Sequence, residues 1–359
     1  MESSVFNQMD QFAPDNNPLA HPLHPVLGTE RVSVVIPCFN EERFIAKVLE
    51  NLADQYDPER YEIVVVDGMS EDSTRRIIAE FCQSHPQILV RLVDNPARNI
   101  PRALNLGIAA AQGEIIARMD AHAVASPGYI RRCVAVLQEN AEAIVGAPCR
   151  VCPGANTLTA QAIAIAVSHP FGIGDAKYRL REGKELQEPV DTVAFACFRK
   201  RLWEELGGYN EQLLTNEDYD FNYRARARGR QVLLDRAEHC DYFARATLNT
   251  LAAQYFRYGG WKARMVTLHP QSIKLRHLIA PGFVLSLVLL AAGGAWFGFL
   301  WWLLAVELTC YFLCALACGW QVRRRANTGM LVLLMPIVFF TIHLVWGTGF
   351  LLGLMRTPR

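Results

Sequence analysis

The chain has 359 residues, enough for one large domain or two modest ones, with a formal net charge of +1 from 36 basic and 35 acidic side chains. That balance argues against general nucleic-acid binding, which asks for a strongly basic face. Hydrophobic residues make up 51% and crowd beyond Leu278, so the chain does not read as a soluble protein throughout. The ten cysteines lack the paired spacing of a zinc site; Cys149 and Cys152 form a lone C-R-V-C, and most of the rest have apolar neighbours, which reads as reduced core or membrane residues.

Residues 1–30 are rich in Pro, Asn and His, lack a basic-then-apolar signal, and read as a mobile lead-in. "RVSVVIPCF" is then a β-branched strand, and "NEERFIAKVLENLADQ" has helical apolar spacing at Phe44, Val48, Leu49 and Leu52. "YEIVVVDGMS" is a second strand, and "EDSTRRIIAEFCQSH" a second helix with an acidic first turn. "ILVRLVDNP" is a third strand, "IPRALNLGIAAAQG" a third helix ended by Gly113, and "EIIARMDAHA" a fourth strand. The alternation predicts an α/β fold whose sheet is mostly parallel, with helices on both faces. The strand ends then carry Asn40-Glu41, Asp67-Gly68, Asp94-Asn95 and Asp120-His122, which describes one polar crevice at the carboxyl ends of parallel strands.

The Gly-rich stretch Ser168 to Arg179 reads as a mobile lid, an acceptor loop or an ordinary surface connection. "DTVAFACFRKRLWEELGGYNEQLLTNEDYDFNYRARARG" holds a strand, an amphipathic helix ended by Gly207-Gly208, an acidic knot and a basic helix. From Leu278 to Gly319 runs an almost uncharged stretch, room for about two membrane spans of about 20 residues each, with a hairpin at Gly293 to Gly298. Met330 to Leu354 is a third span. Lys274, Arg276 and Arg323-Arg324-Arg325 place their flanks on the cytoplasmic side; three spans leave Arg356 and Arg359 outside, so a two-span or re-entrant arrangement is the alternative. Glu307 falls inside the second span, where a carboxylate is neutral, paired or functional, with His343 as a candidate partner.

Two polar knots carry chemistry. Asp120 and His122, on alternate residues of an extended stretch, project to one side and suit a divalent ion such as Mg²⁺ or Mn²⁺ that bridges carboxylate and substrate phosphates; a loop whose polar residues face water is the plainer reading. Asp67 offers a carboxylate to a base or ribose, or simply closes a tight turn. In "TNEDYDF", Glu217, Asp218 and Asp220 repel each other, which raises at least one pKa and suits a general base; acids at a helix start are the plainer reading, and the two are compatible.

"VSVVIPCFNEE", "IVVVDGMSEDST", "GEIIARMDAHA", "LGGYNEQLLTNEDYDF" and "QYFRY", in this order, resemble glycosyltransferase family 2, and "MDAHA" with the apolar tail is similar to the bacterial transferases of succinoglycan-type exopolysaccharide assembly. The resemblance covers about residues 31–265. It implies a Rossmann-like GT-A catalytic domain over 31–265, an interfacial linker over 266–277 and about three transmembrane helices over 278–355 in the inner membrane, with the catalytic domain cytoplasmic. It further implies inverting transfer from a nucleotide-diphospho-sugar, a UDP-hexose, to a hydroxyl of a saccharide or lipid-linked saccharide acceptor. Pro37, Asn40, Glu41 and Asp67 match the nucleotide-binding positions. Asp120 matches the first acid of the D-x-D motif that holds Mg²⁺ or Mn²⁺ and the donor, with His122 where the last acid usually stands. Asp218 matches the base of the "ED" pair, and Glu217 its neighbour that orients it or contacts the acceptor. Gln254, Arg257 and Tyr258 resemble Q-x-x-R-W, with Tyr for Trp; Gln254 and Tyr258 then face the acceptor and Arg257 the diphosphate. The altered motif points to single transfers. A nucleotidyltransferase would want an early Gly- and Lys-bearing phosphate loop, absent from "IPCFNEERF". A catalytically inactive membrane-docked partner is the alternative outside enzymes.

Overall fold

The structure, a computed structural model, describes residues 30–180, 185–326 and 329–356. Almost all of the expected lead-in and Arg359 lie outside the described residues, as do the side chains of Arg323, Arg324 and Arg325. The described chain forms two compact units: residues 30–150 with 185–242, and Val151–Leu180 with residues 243–356.

The strands are β1 (Val32–Cys38), β2 (Tyr61–Asp67), β3 (Leu89–Asp94), β4 (Ile115–Arg118), β5 (Ala123–Ala125), β6 (Ile144–Gly146), β7 (Cys149–Cys152), β8 (Gln187–Pro189), β9 (Cys197–Arg199), β10 (Val232–Asp235) and β11 (Cys240–Phe243). The helices are α1 (Ile45–Ala53), α2 (Thr74–Ser84), α3 (Ile100–Ala110), α4 (Tyr129–Glu139), α5 (Leu158–Ala166), α6 (Pro170–Ile173), α7 (Lys200–Leu206), α8 (Glu217–Ala227), α9 (Leu248–Leu268), α10 (Arg276–Gly294), α11 (Phe299–Ala326) and α12 (Met330–Arg356).

The first unit is built on an eight-stranded sheet of order β3-β2-β1-β4-β9-β6-β10-β8. Its first four strands are parallel, as the β-strand and helix alternation predicts. All seven residues of β2 are buried, the pattern of a strand covered on both faces. Beyond β4 the sheet is mixed: β9 runs antiparallel to both β4 and β6, β10 is parallel to β6, and β8 is antiparallel to β10. The chain moves outward from β1 to β3 and then back past β1 to β4. Right-handed crossovers therefore set α1 and α2 on one face and α3 on the other. α1 packs on α2, and α3 on β1 and β2. Gly107 makes the α3 contact close, since a Cβ there would stand 2.4 Å from Val35 Cγ1 and 2.7 Å from Val66 Cγ2.

Three sequence expectations need correction here. Helix α3 stops at Ala110, because Ala111 turns to extended backbone; Gly113 is needed instead for the approach to β1, its Cβ position lying 2.6 Å from the Ser33 backbone nitrogen. Glu71 and Asp72 precede α2 rather than forming its first turn; Asp72, just before the N-cap Ser73, accepts from Thr74 N at 3.0 Å. The fourth strand is broken: β4 ends at Arg118 and β5 starts at Ala123, with a turn at Ala121-His122. Asp120 and His122 are thus neighbours across a turn, not alternate residues of one extended stretch.

In the second unit, α10, α11 and α12 include stretches long and apolar enough to cross a membrane, at Arg276–Gly294, Phe299–Val322 and Met330–Arg356. The expected hairpin between the first two is present at residues 295–298. α9 meets α12 backbone to backbone: a Cβ on Gly259 would stand 2.1 Å from Trp346 O, and one on Gly349 2.2 Å from Phe256 O. The Ser168–Arg179 stretch packs within this unit. Phe171 of α6 packs edge-on against Phe339 at 4.9 Å and meets Tyr311 at 5.6 Å, and Arg276 pairs with Asp175. Glu307 accepts from Ser286 Oγ at 2.5 Å, while His343 Nδ1 pairs with Tyr311 OH at 2.8 Å, so His343 is a partly buried histidine with another partner and not the partner of Glu307.

Gly349→Leu should therefore force α9 and α12 apart. We expect it to lower the thermal midpoint of detergent-solubilised protein by several degrees, the scale of about 1–3 kcal/mol for overpacking. Gly282→Ala, where a Cβ meets nothing within 4 Å, should leave the midpoint unchanged or raise it slightly.

Candidate active site

The site lies at the carboxyl ends of β1, β2 and β4, where the strand order reverses and an open α/β sheet leaves a crevice. Pro37 sits beyond the last β1–β4 pair, Val35 with Arg118, and its lack of an N–H prevents that ladder from continuing. The loops after β1 and β2 are laced together. Asn40, in the left-handed region at φ 54°, donates its N–H to Ser70 Oγ at 2.8 Å and accepts from Glu71 N at 2.9 Å. Glu41 N donates to Thr74 Oγ1 at 2.8 Å. Asp67, fully buried, accepts from Ser70 N at 3.0 Å, Ser70 Oγ at 2.5 Å and Arg75 Nη1 at 2.9 Å. Arg75 also reaches Asp94 at 2.8 Å, which together with Asp67 raises its pKa against the cost of partial burial.

The two knots read from the sequence meet on one cation. Arg118, at the end of β4 and 7% exposed, donates from Nη2 to Glu217 at 2.9 Å and approaches Asp120 at 3.4 Å. Burial works against its charge, but Asp120, Glu217 and Asp218 hold the guanidinium firmly protonated. Glu217, 5% exposed, has its pKa pushed up to about 7 by burial; Arg118 opposes this, while Asp218 and Asp120 add to it. The expected raised carboxylate is thus present, with burial rather than mutual repulsion as its main cause. Asp218 follows Glu217 in the first turn of α8 and is partly exposed. Asp220 turns away from this group: it is fully buried and paired with Arg224 Nε at 2.7 Å, while Arg224 also donates to Leu206 O and Gly208 O, each at 2.8 Å.

His122 Nδ1 lies 3.0 Å from Glu41 Oε1, joining the β4–β5 turn to the β1 loop. Gln254 Nε2 donates to Tyr258 OH at 2.9 Å on α9, and Arg257 is exposed there; these three belong to the second unit. Among the described residues no three His, Cys, Asp or Glu side chains form a metal cage. Asp120, bound to Arg118 through one long contact, and His122 beside it offer a hard oxygen and a nitrogen only. That donor set fits an ion of the Mg²⁺ or Mn²⁺ type, which keeps waters and is completed by substrate phosphates, and does not fit a closed structural site.

Sequence reasoning passed over Arg118, Arg75 and Ser70. Arg118 did leave a signal, a lone charge inside the apolar run "IIARMD".

A family model described as "Glycosyl transferase family 2" matches residues 33–207. The succinoglycan biosynthesis protein ExoA of Rhizobium meliloti (strain 1021) is 30% identical over 325 residues, 88% of this chain and 93% of that protein. The chain belongs to glycosyl transferase family 2. It is also 24% identical over 335 residues, 90% of this chain and 97% of the other, to the dolichyl N-acetyl-alpha-D-glucosaminyl phosphate 3-beta-D-2,3-diacetamido-2,3-dideoxy-beta-D-glucuronosyltransferase of Methanococcus voltae. A solved mannosyltransferase, PcManGT from Pyrobaculum calidifontis in complex with GDP-Man and Mn²⁺, aligns with TM-score 0.60 and 18% identity, covering 99% of this chain and 93% of that one. The protein is a glycosyltransferase of the GT-A fold, followed by three helices apolar and long enough to span a membrane.

Glu217 gives this family member a pH-dependent stability of defined sign. Its folded pKa, about 7, lies above the ordinary value of 4.5, so the folded chain keeps a proton that the unfolded chain releases. The stability from this proton is full below about 4.5 and is lost as pH rises through about 7. Glu217→Gln removes the dependence; the mutant's thermal midpoint relative to wild type should rise steadily between pH 5 and about 7.5.

Proposed function

We propose that this glycosyltransferase moves a hexose from a nucleotide-diphospho-sugar, a UDP-sugar, to a hydroxyl of a saccharide or lipid-linked saccharide during synthesis of a bacterial exopolysaccharide or cell-surface glycan, inverting the anomeric centre. The observation that carries the reading is Arg118, which gathers Asp120 and Glu217, with Asp218 adjoining, around one buried charge. An acid suited to the donor phosphates and an acid pair suited to the acceptor then share one pocket, as displacement at a sugar carbon requires.

In this reading Asp218, the more exposed of the pair, takes the proton of the acceptor hydroxyl as its oxygen attacks the anomeric carbon. Glu217, held by Arg118, sets the position of Asp218 and, with a proton near neutral pH, spares it a second full negative charge. Asn40 and Glu41 on the laced loops, with Pro37 and Asp67 behind them, shape the nucleotide pocket. Asp120 and His122 would hold a divalent ion, Mg²⁺ or Mn²⁺, which would offset the charge that develops on the departing nucleoside diphosphate. By the family motif, Arg257 assists the diphosphate and Gln254 and Tyr258 the acceptor.

The three apolar helices support a multi-pass protein of the inner membrane with its catalytic domain, residues 31–265, on the cytoplasmic side, followed by a linker over 266–277 and spans within 278–355. Lys274 and Arg276, at the start of α10, agree with that sidedness.

The test is release of nucleoside diphosphate by detergent-purified protein given UDP- and GDP-sugars, Mg²⁺ or Mn²⁺ and membrane lipid extract. We expect turnover of one donor and a β-linked product from an α-linked donor. Asp218→Asn should lower kcat by about 10²- to 10⁴-fold, with the KM for donor little changed. Full turnover by Asp218→Asn would overturn its role as base. No release from any donor would move the protein to a nucleotide-sugar-binding partner without catalysis.

A further inference from the structure

The contact between Glu41 and His122 ties the donor loop to the turn that carries Asp120, and it falls where this chain has an imidazole in place of the last acid of the family's metal motif. A carboxylate only accepts hydrogen bonds, so at 3.0 Å the Nδ1 of His122 must be the donor. Of the two neutral tautomers this selects one: in the neutral imidazole that binds a metal, the proton sits on Nδ1 and the lone pair on Nε2. Glu41 is itself held. Its N–H is bonded to Thr74 Oγ1 at 2.8 Å, and its carbonyl accepts the N–H of Phe44 at 2.9 Å and of Ile45 at 2.9 Å. Phe44 in turn sets its ring against His122 in an edge arrangement, with centroids 6.4 Å apart. The imidazole is thus gripped at one nitrogen by a carboxylate on a braced loop and flanked on another side by an aromatic ring.

We infer that Glu41 is a positioning residue for the metal site: it holds His122 in the Nδ1–H tautomer, presents Nε2 as the ligand, and returns to the site the negative charge that the imidazole at this position removes. Carboxylate, histidine and ion in line make the imidazole a stronger donor than it is alone, and loss of such an outer carboxylate typically weakens metal binding 10- to 100-fold. The arrangement favours Mn²⁺, for which nitrogen is an acceptable ligand, over Mg²⁺, which prefers oxygen. The inference rests on the reading that Asp120 and His122 hold the ion.

Mn²⁺ alone is the probe, added to full-length protein in detergent and followed by its paramagnetic resonance, which counts free against bound ion and detects a coordinated ¹⁴N. We expect bound Mn²⁺ with nitrogen coupling in the wild type, and none of that coupling in His122→Ala. Glu41→Gln should weaken Mn²⁺ about 10- to 100-fold with an unchanged thermal midpoint. His122→Asp should bind Mn²⁺ without nitrogen coupling, and in that background Glu41→Gln should cost less than about twofold, or strengthen binding, because no imidazole remains to orient. An equal loss in both backgrounds would overturn the inference, as would Glu41→Gln binding Mn²⁺ as tightly as wild type with the same coupling. Either result leaves His122 as a ligand wherever its coupling is seen. A wild type without bound Mn²⁺, or with bound Mn²⁺ and no nitrogen coupling, would overturn the ligand assignment itself and the inference with it.

Discussion

A guanidinium taken out of water must be surrounded by negative charge, and in this molecule the surroundings are the site. Arg118 stands at the last residue of a central strand with almost no exposure, so the acids that offset its charge must come to it. They come from two places far apart in the chain, the turn after β4 and the first turn of α8. Folding the sheet correctly and assembling the acid cluster are therefore one event. The same charge decides the character of its neighbours, since Glu217 would be pushed still further from ionisation without it.

Around this centre the crevice is stiffened by bonds between loops rather than within them. Ser70, Glu71 and Thr74 after β2 meet Asn40 and Glu41 after β1 through main-chain and side-chain bonds, and Asn40 accepts a left-handed backbone to do so. Arg75 closes the far side by spanning Asp67 and Asp94. Loops that carry binding groups are ordinarily the mobile parts of a fold. Here the first two are joined rung by rung.

The parallel half of the sheet was legible because its first three strands are apolar runs each followed by a helix with apolar spacing, as in "YEIVVVD" before α2. Of the mixed half, only β9 was legible, as the strand within "DTVAFACFRK"; β6 and β8, three residues each, are too short for periodicity to show. The acids of the site were legible from their place at strand ends and at a helix start. What bound them together was not, because a buried arginine in an apolar strand looks like noise until its partners are known. The break after Arg118 was equally hidden: the residues of "MDAHA" carry no proline or glycine to mark a turn. Gly113 shows the converse, a glycine that resembled a helix stop but serves a close approach to Ser33.

The backbone-to-backbone meeting of α9 with α12 has a consequence for motion within the second unit. With glycines at the crossing there is no cushion of side chains to absorb relative motion, so α9 follows α12 as one body. A helix that spans a bilayer adjusts its tilt to the thickness of the hydrocarbon around it. Were α12 to span a bilayer, any tilt it took there would pass to Gln254, Arg257 and Tyr258 on α9. Lipid chain length would then be a mechanical input to the helix that bears this polar motif.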